Sequence, residues 1–179
     1  MRGLFLAIEG LDKAGKTTLS YLLVKELLSS GKRVVRFKFP KLKGLTYPEE
    51  RKLFQKTIMS LLMDGYIVIA DRWIHSGLAY SRGLEDNDGI MLPDFVIYLD
   101  IKPEQAKLRN NYGDHPYEII EFQRIVYVEY ETLRGDNWLI FDAMRPTENI
   151  CAELMEALDD FSIHNTEPSW FQSPCTRPS

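Results

Sequence analysis

Apolar positions along this chain recur with two periods that take turns. Five short runs read as strands: residues 3–8, 33–39, 66–70, 94–99 and 137–141. Tyr66-Ile67-Val68-Ile69-Ala70 and Asp94-Phe95-Val96-Ile97-Tyr98-Leu99 are almost unbroken apolar stretches, the pattern of strands covered on both faces. Between the runs, apolar side chains recur at helical spacing, which predicts helices over 16–30, 47–63, 103–109, 117–134 and 147–159. Thr46 and Glu49 are spaced as a capping box ahead of the second helix, and Gly65 follows its end. Gly31 closes the first helix, Pro103 opens the third, and Ile150, Leu154 and Leu158 stripe the last. This alternation predicts an α/β fold: a parallel five-stranded sheet flanked by helices on both faces. Function in such a sheet gathers at the C-terminal ends of the strands.

The chain of 179 residues suffices for one domain whose core needs no disulfide or metal. Residues 1–161 carry the periodic pattern, whereas 162–179 are rich in Ser, Pro and Thr and read as a tail. Trp170 and Phe171 are the tail groups expected to dock on the body or on a partner. A formal net charge of −4 gives no reason to expect nucleic acid as the main partner. Cys151 falls in a predicted helix and Cys175 in the tail, a pattern of incidental thiols in a reducing compartment. The N-terminal apolar run leads straight into a glycine loop, so it reads as a core strand and not a signal peptide. No stretch reaches the roughly 18 apolar residues of a membrane span. A cytoplasmic protein with no membrane partner is expected.

Gly10-Leu11-Asp12-Lys13-Ala14-Gly15-Lys16-Thr17 fits G-x-x-x-x-G-K-[ST], and it lies between a predicted strand and a predicted helix. In that setting successive backbone amides face phosphate oxygens. Lys16 would reach the outer phosphates and the Thr17 hydroxyl would take a position on Mg²⁺. The segment through Thr18 is therefore the expected site for ATP with Mg²⁺. A plain glycine-rich turn is the competing reading, and the strand and helix on either side weigh against it.

A second constellation narrows the class. The strand at 66–70 runs into Asp71-Arg72-Trp73, followed by Ser76-Gly77 and Ala79-Tyr80. An acid and an arginine at a strand tip face the mouth of the phosphate loop. The planar fork of Arg72 suits a phosphoryl group, and Asp71 suits metal-bound water or the attacking oxygen. A capping Asp and a surface Arg are the plainer alternative. The N-K-x-D stretch with which regulatory GTPases read their base is absent from the sequence. ATPases that act on polymers are generally larger. The size fits a small P-loop kinase of nucleosides or nucleotides.

Over most of residues 1–160 the sequence resembles the thymidylate kinase family. Glu9 to Thr17 is similar to that family's E-G-x-D-x-x-G-K-[ST], with Asp12 on the loop acid, and Phe39-Pro40 is similar to the F-P that ends its second strand. Asp71-Arg72 with Ser76-Gly77-Leu78-Ala79-Tyr80 is similar to D-R-Y-x-x-S-G-x-A-Y, Trp73 replacing the Tyr. Leu92-Pro93-Asp94 is similar to the entry of the family's fourth strand. Tyr47 and Arg51 fall on the aromatic and the arginine of L-L-F-x-x-N-R.

The resemblance implies transfer of the ATP γ-phosphoryl group to a pyrimidine deoxynucleoside monophosphate, most naturally dTMP, by a homodimer. It implies Lys16, Arg72, Asp12, Asp71 and Arg109 as the catalytic set. Phe39, Tyr47, Arg51, Arg72, Ser76, Gly77, Tyr80 and Tyr117 would form the acceptor site. A lid at about 107–118 would contain Lys107, Arg109, Gly113 and Tyr117-Glu118, with Pro116 where the family has an arginine. Two departures stand out. Only six residues separate Pro40 from Tyr47, where the family has a much longer stretch, and Leu42 occupies the place of its phosphate-holding arginine. Lys38, Lys41 and Lys43 lie nearby. Two alternatives stay open: a deoxynucleoside kinase using Asp71 as base for a 5′-hydroxyl, and a nucleotide-binding regulatory protein with an impaired acceptor site.

Overall fold

A computed structural model describes residues 2–109 and 119–164, with side chains through Asp159. Its strands are β1 (Phe5–Gly10), β2 (Val34–Lys38), β3 (Ile67–Asp71), β4 (Phe95–Asp100) and β5 (Trp138–Asp142). Its helices are α1 (Lys16–Ser29), α2 (Tyr47–Met63), α3 (Ile74–Ser81), α4 (Pro103–Lys107), α5 (Ile120–Leu133) and α6 (Thr147–His164). The strands form one sheet in the order β2-β3-β1-β4-β5, every neighbouring pair parallel. Because the chain passes from β3 across β1 to β4, the C-terminal tips of β1 and β3 end side by side; Ile8 is in register with Asp71. Such a switch in strand order opens a crevice for a ligand.

Alternation along β1 divides the core. Leu6 and Ile8 pack with Leu19, Leu23 and Leu27 of α1 in one cluster. Phe5 and Ala7 point to the other face, against Ile58 and Leu62 of α2 and Trp73. The two layers of helices that the apolar runs predict are thus present. α2 has the predicted limits because its first turn is closed locally: Thr46 N–H donates to Glu49 Oε2 at 2.8 Å, and Pro48 sits in the first turn. Ahead of β1, Leu4 O accepts the Val68 amide at 2.8 Å, and the residues before it are held by other contacts. Gly3 N–H donates to Leu62 O at 2.7 Å, Arg2 is ion-paired with Asp94, and a Cβ on Gly3 would lie 1.6 Å from the Tyr66 carbonyl oxygen.

Several predicted limits are corrected. β1 starts at Phe5 instead of residue 3 and continues to Gly10, and each later strand also ends one residue beyond its predicted limit except β2, which stops at Lys38. α6 continues to His164, past the predicted end at 159. α4 ends at Lys107. The predicted 117–134 helix runs only from Ile120 to Leu133, because Ile119 is extended; 117 and 118 lie outside the described residues. α3 was not predicted: it is only eight residues long, contains Gly77, and is stabilised by a carboxylate on another strand. Among the described residues, no helix is long and apolar enough to cross a membrane.

Candidate functional site

At the tip of β1 the chain turns through the glycine loop into α1. Gly15 adopts a left-handed conformation with φ 101° immediately before the helix, where a Cβ would be strained. The first amides of α1 have no acceptor within the helix and face the end of the sheet. Lys16 folds back over the loop, its ammonium donating to Gly10 O at 2.9 Å and Leu11 O at 2.6 Å. Burial lowers its pKa to about 7, Arg72 adding to the effect while Asp12, Asp71 and Glu9 oppose it.

Thr17 and Asp71 meet across the β1–β3 crevice. The Thr17 hydroxyl donates to Asp71 Oδ2 at 2.7 Å, which leaves the hydroxyl lone pairs available to a cation. Asp71 is 1% exposed. Among the described residues, no cluster of three or more His, Cys, Asp or Glu forms a protein-only metal cage. One hydroxyl and one carboxylate do fit Mg²⁺, which keeps several waters and takes its remaining oxygens from phosphates.

Arg72 follows Asp71 with φ 74°, a left-handed backbone that turns its side chain toward the loop. Its guanidinium is ion-paired with Asp12 and lies 5.3 Å from the centre of the Tyr80 ring. Burial works against the charged Asp12 carboxyl, but Arg72 and Lys16 beside it hold its pKa below the ordinary value. Burial raises the Tyr80 phenol to about 12, so it remains a neutral hydroxyl.

Arg109, just after α4, reaches the same loop from the other side. It donates to Lys13 O at 2.7 Å and to Ala143 O at 2.5 Å. Lys107 is exposed at the end of α4. Gly113, Pro116, Tyr117 and Glu118 lie outside the described residues.

The predicted acceptor groups form a second cluster around α3. Tyr47 is 42% exposed at the start of α2 and borders an open recess of about 520 Å³ with Leu45, Thr46, Pro48 and Glu85. Arg51, one turn on, is 4% exposed; its Nη1 donates to Glu85 Oε2 at 2.5 Å and Asn87 Oδ1 at 2.9 Å. Gly77 is what lets this pair lie against α3, since a Cβ there would approach Glu85 Oε2 to 1.8 Å and the Arg51 guanidinium to 2.6 Å. Phe39 is buried, edge-on to Trp73 with ring centres 5.0 Å apart. The short 41–46 connection is tied down by Glu50, whose carboxylate accepts the Lys41 amide at 2.6 Å and the Leu42 amide at 2.5 Å.

Gln123, Glu85 and Arg36 escaped the sequence reading, and Glu9 entered it only as the first residue of the loop motif. Glu9 accepts the Trp73 amide at 2.8 Å and the Ser76 amide at 3.2 Å, and so caps α3. Gln123 of α5 is fully buried beside Asp12. Glu85 pairs with Arg51, and Arg36 pairs with Asp71. The sequence signals for Arg36 and Gln123 were a charge within the run Val34-Val35-Arg36-Phe37 and a polar residue on an apolar helix face.

A family profile described as thymidylate kinase matches residues 43–154. Thymidylate kinase of Plasmodium falciparum is 30% identical, the alignment covering 93% of this chain and 94% of that one. Thymidylate kinase of Schizosaccharomyces pombe is 29% identical over 92% and 96% of the two chains. In structure, the chain is similar to a solved thymidylate kinase from Candida albicans, with a TM-score of 0.78 and 23% identity, covering 94% of this chain and 96% of that one.

Proposed function

The chain belongs to the thymidylate kinase family, with the P-loop nucleoside monophosphate kinase fold, and from that premise we propose that it transfers the ATP γ-phosphoryl group to dTMP. The observation that carries this reading is the Arg72–Asp12 pair. It sets a guanidinium from the tip of β3 against the phosphate loop, between the segment fitted for ATP and the cluster around α3.

In this reading an oxygen of the acceptor phosphate attacks the γ-phosphorus, a P–O bond forms, and the bond to the β,γ-bridging oxygen breaks to release ADP. The acceptor oxygen is already anionic, so no side chain need remove a proton. Lys16 leaves the loop carbonyls to meet phosphate oxygens, and Arg72 spans donor and acceptor phosphoryl groups. Asp12 holds Arg72 in place, and Arg109 adds charge from the α4 side. Thr17 and Asp71 would hold Mg²⁺, which when bound neutralises the triphosphate. On the acceptor side, Tyr47 offers a ring to the base and Arg51 a donor to its edge, over the floor made by Gly77. The homodimer and the cytoplasmic setting belong to the same reading.

The hydrogen bonds at Asp71 favour a monophosphate acceptor over a nucleoside. Its Oδ2 already accepts from Thr17 and Arg36, so the carboxylate is engaged with a hydroxyl and a cation and is poorly placed to take a proton from a 5′-hydroxyl. Glu85 on Arg51 and Leu42 in place of an arginine favour a second reading, nucleotide binding with little transfer. Coupled assays of ADP release separate the three. Transfer to dTMP with none to thymidine supports the proposal; transfer only to thymidine, or to neither with ATP still bound, overturns it.

A further inference from the structure

Arg36 is a cation set between Val35 and Phe37 in β2, and three neighbours fix it. Its Nε donates to Ser20 Oγ at 2.6 Å, its Nη2 donates to Asp71 Oδ2 at 2.8 Å, and its guanidinium carbon lies 4.1 Å from the centre of the Tyr21 ring. Ser20 in turn donates to the Thr17 carbonyl at 2.8 Å, so the guanidinium is braced against the first turn of α1. The side chain is 14% exposed, against 1% for Asp71.

One carboxylate oxygen therefore serves two groups with opposite consequences. By accepting the Thr17 hydroxyl proton, Asp71 Oδ2 directs the hydroxyl lone pairs outward, as a hard cation requires. By accepting from Arg36, the same oxygen has its charge cancelled in a poorly hydrated place, where interactions between charges are strong. A carboxylate so neutralised holds its direction but exerts little pull on a free divalent ion.

We propose that Arg36 sets the cation threshold of the nucleotide site: it keeps Mg²⁺ from settling on Thr17 and Asp71 alone, so that the ion binds only together with the phosphates. The inference rests on the reading of the loop as a Mg²⁺–ATP site. It goes beyond that reading by assigning a role to a residue outside the loop and strand-tip motifs on which that reading rests.

The test compares the wild-type chain with Arg36→Met and Arg36→Lys. Arg36→Met removes the charge; Arg36→Lys keeps it but loses the planar fork. Mn²⁺ binding is followed by electron paramagnetic resonance without nucleotide, and a fluorescent ATP analogue is titrated at Mg²⁺ concentrations from zero upward. Arg36→Met should bind Mn²⁺ alone at least ~10-fold more tightly than wild type, because a repelling charge near the ion is gone. It should also need correspondingly less Mg²⁺ for half-maximal nucleotide binding. Arg36→Lys should stay close to wild type in both, which a merely structural loss at this position would not produce. If Arg36→Met fails to fold, Arg36→Gln removes the same charge. Equal metal dependence in all variants, with the analogue still bound, overturns the role of Arg36 and leaves the site reading intact. If the wild-type chain does not bind the analogue at any Mg²⁺ concentration, the site reading itself falls and the inference with it.

Discussion

The Glu9 carboxylate holds Ser76 twice, Oε1 accepting its amide at 3.2 Å and Oε2 its hydroxyl. Oε1 also accepts the Trp73 amide, and Tyr130 OH donates to Oε2 at 3.2 Å. A fully buried carboxylate with several donors on it fixes the start of a helix that is too short to hold itself, and α3 begins two residues after Arg72. Glu9→Ala should cost ~2–4 kcal/mol of stability through the donors left bare. Urea denaturation checks the cost; a change below ~1 kcal/mol would mean that α3 is held elsewhere.

Lys16→Ala should reduce transfer at least ~100-fold while leaving the melting curve cooperative, because transition-state charge on the phosphoryl oxygens goes unmatched. Steady-state kinetics with saturating ATP, read beside circular dichroism, makes the comparison. Near-normal turnover would remove the loop from the chemistry.

Nucleotide binding should take up protons. Free Lys16 has its pKa lowered to about 7 by burial, and an incoming polyanion favours the charged ammonium and raises it again. Between pH 7 and 9 the complex then holds more protons than the free protein, so affinity falls as pH rises, by up to ~10-fold per unit. The nucleotide-free protein behaves oppositely: its unfolded form holds more protons over that window, so this group's contribution to stability increases with pH. Calorimetric titration in two buffers of different ionisation enthalpy measures the uptake, and identical heats in both would contradict it.

Tyr47→Ala should raise the KM for dTMP by the loss of ~1–3 kcal/mol of stacking while the KM for ATP stays put. An unchanged acceptor KM would show that the base lies elsewhere than the recess beside Tyr47.

What the sequence disclosed were the features made by neighbouring residues. α2 has the predicted limits, 47–63, since Thr46 and Glu49 close its first turn within one segment. The loop and its flanking strand and helix were legible for the same reason. Features made by distant residues were not. α3 depends on Glu9, the direction of Asp71 on Arg36, and the surroundings of Asp12 on Gln123. The family resemblance implies Arg51 as an acceptor ligand, yet nothing near it in sequence foretold that Glu85 would be its partner. The sheet order was equally hidden, because apolar runs that are covered on both faces do not record their neighbours.

Gly3 has a practical corollary for anyone handling this protein. With room for no side chain beside Tyr66, and Arg2 clasped to Asp94, the opening residues behave as a plug in the bottom of the sheet. A cloning scar that overwrites either residue should lower the yield of folded material even though it lies at the opposite end of β1 from the glycine loop.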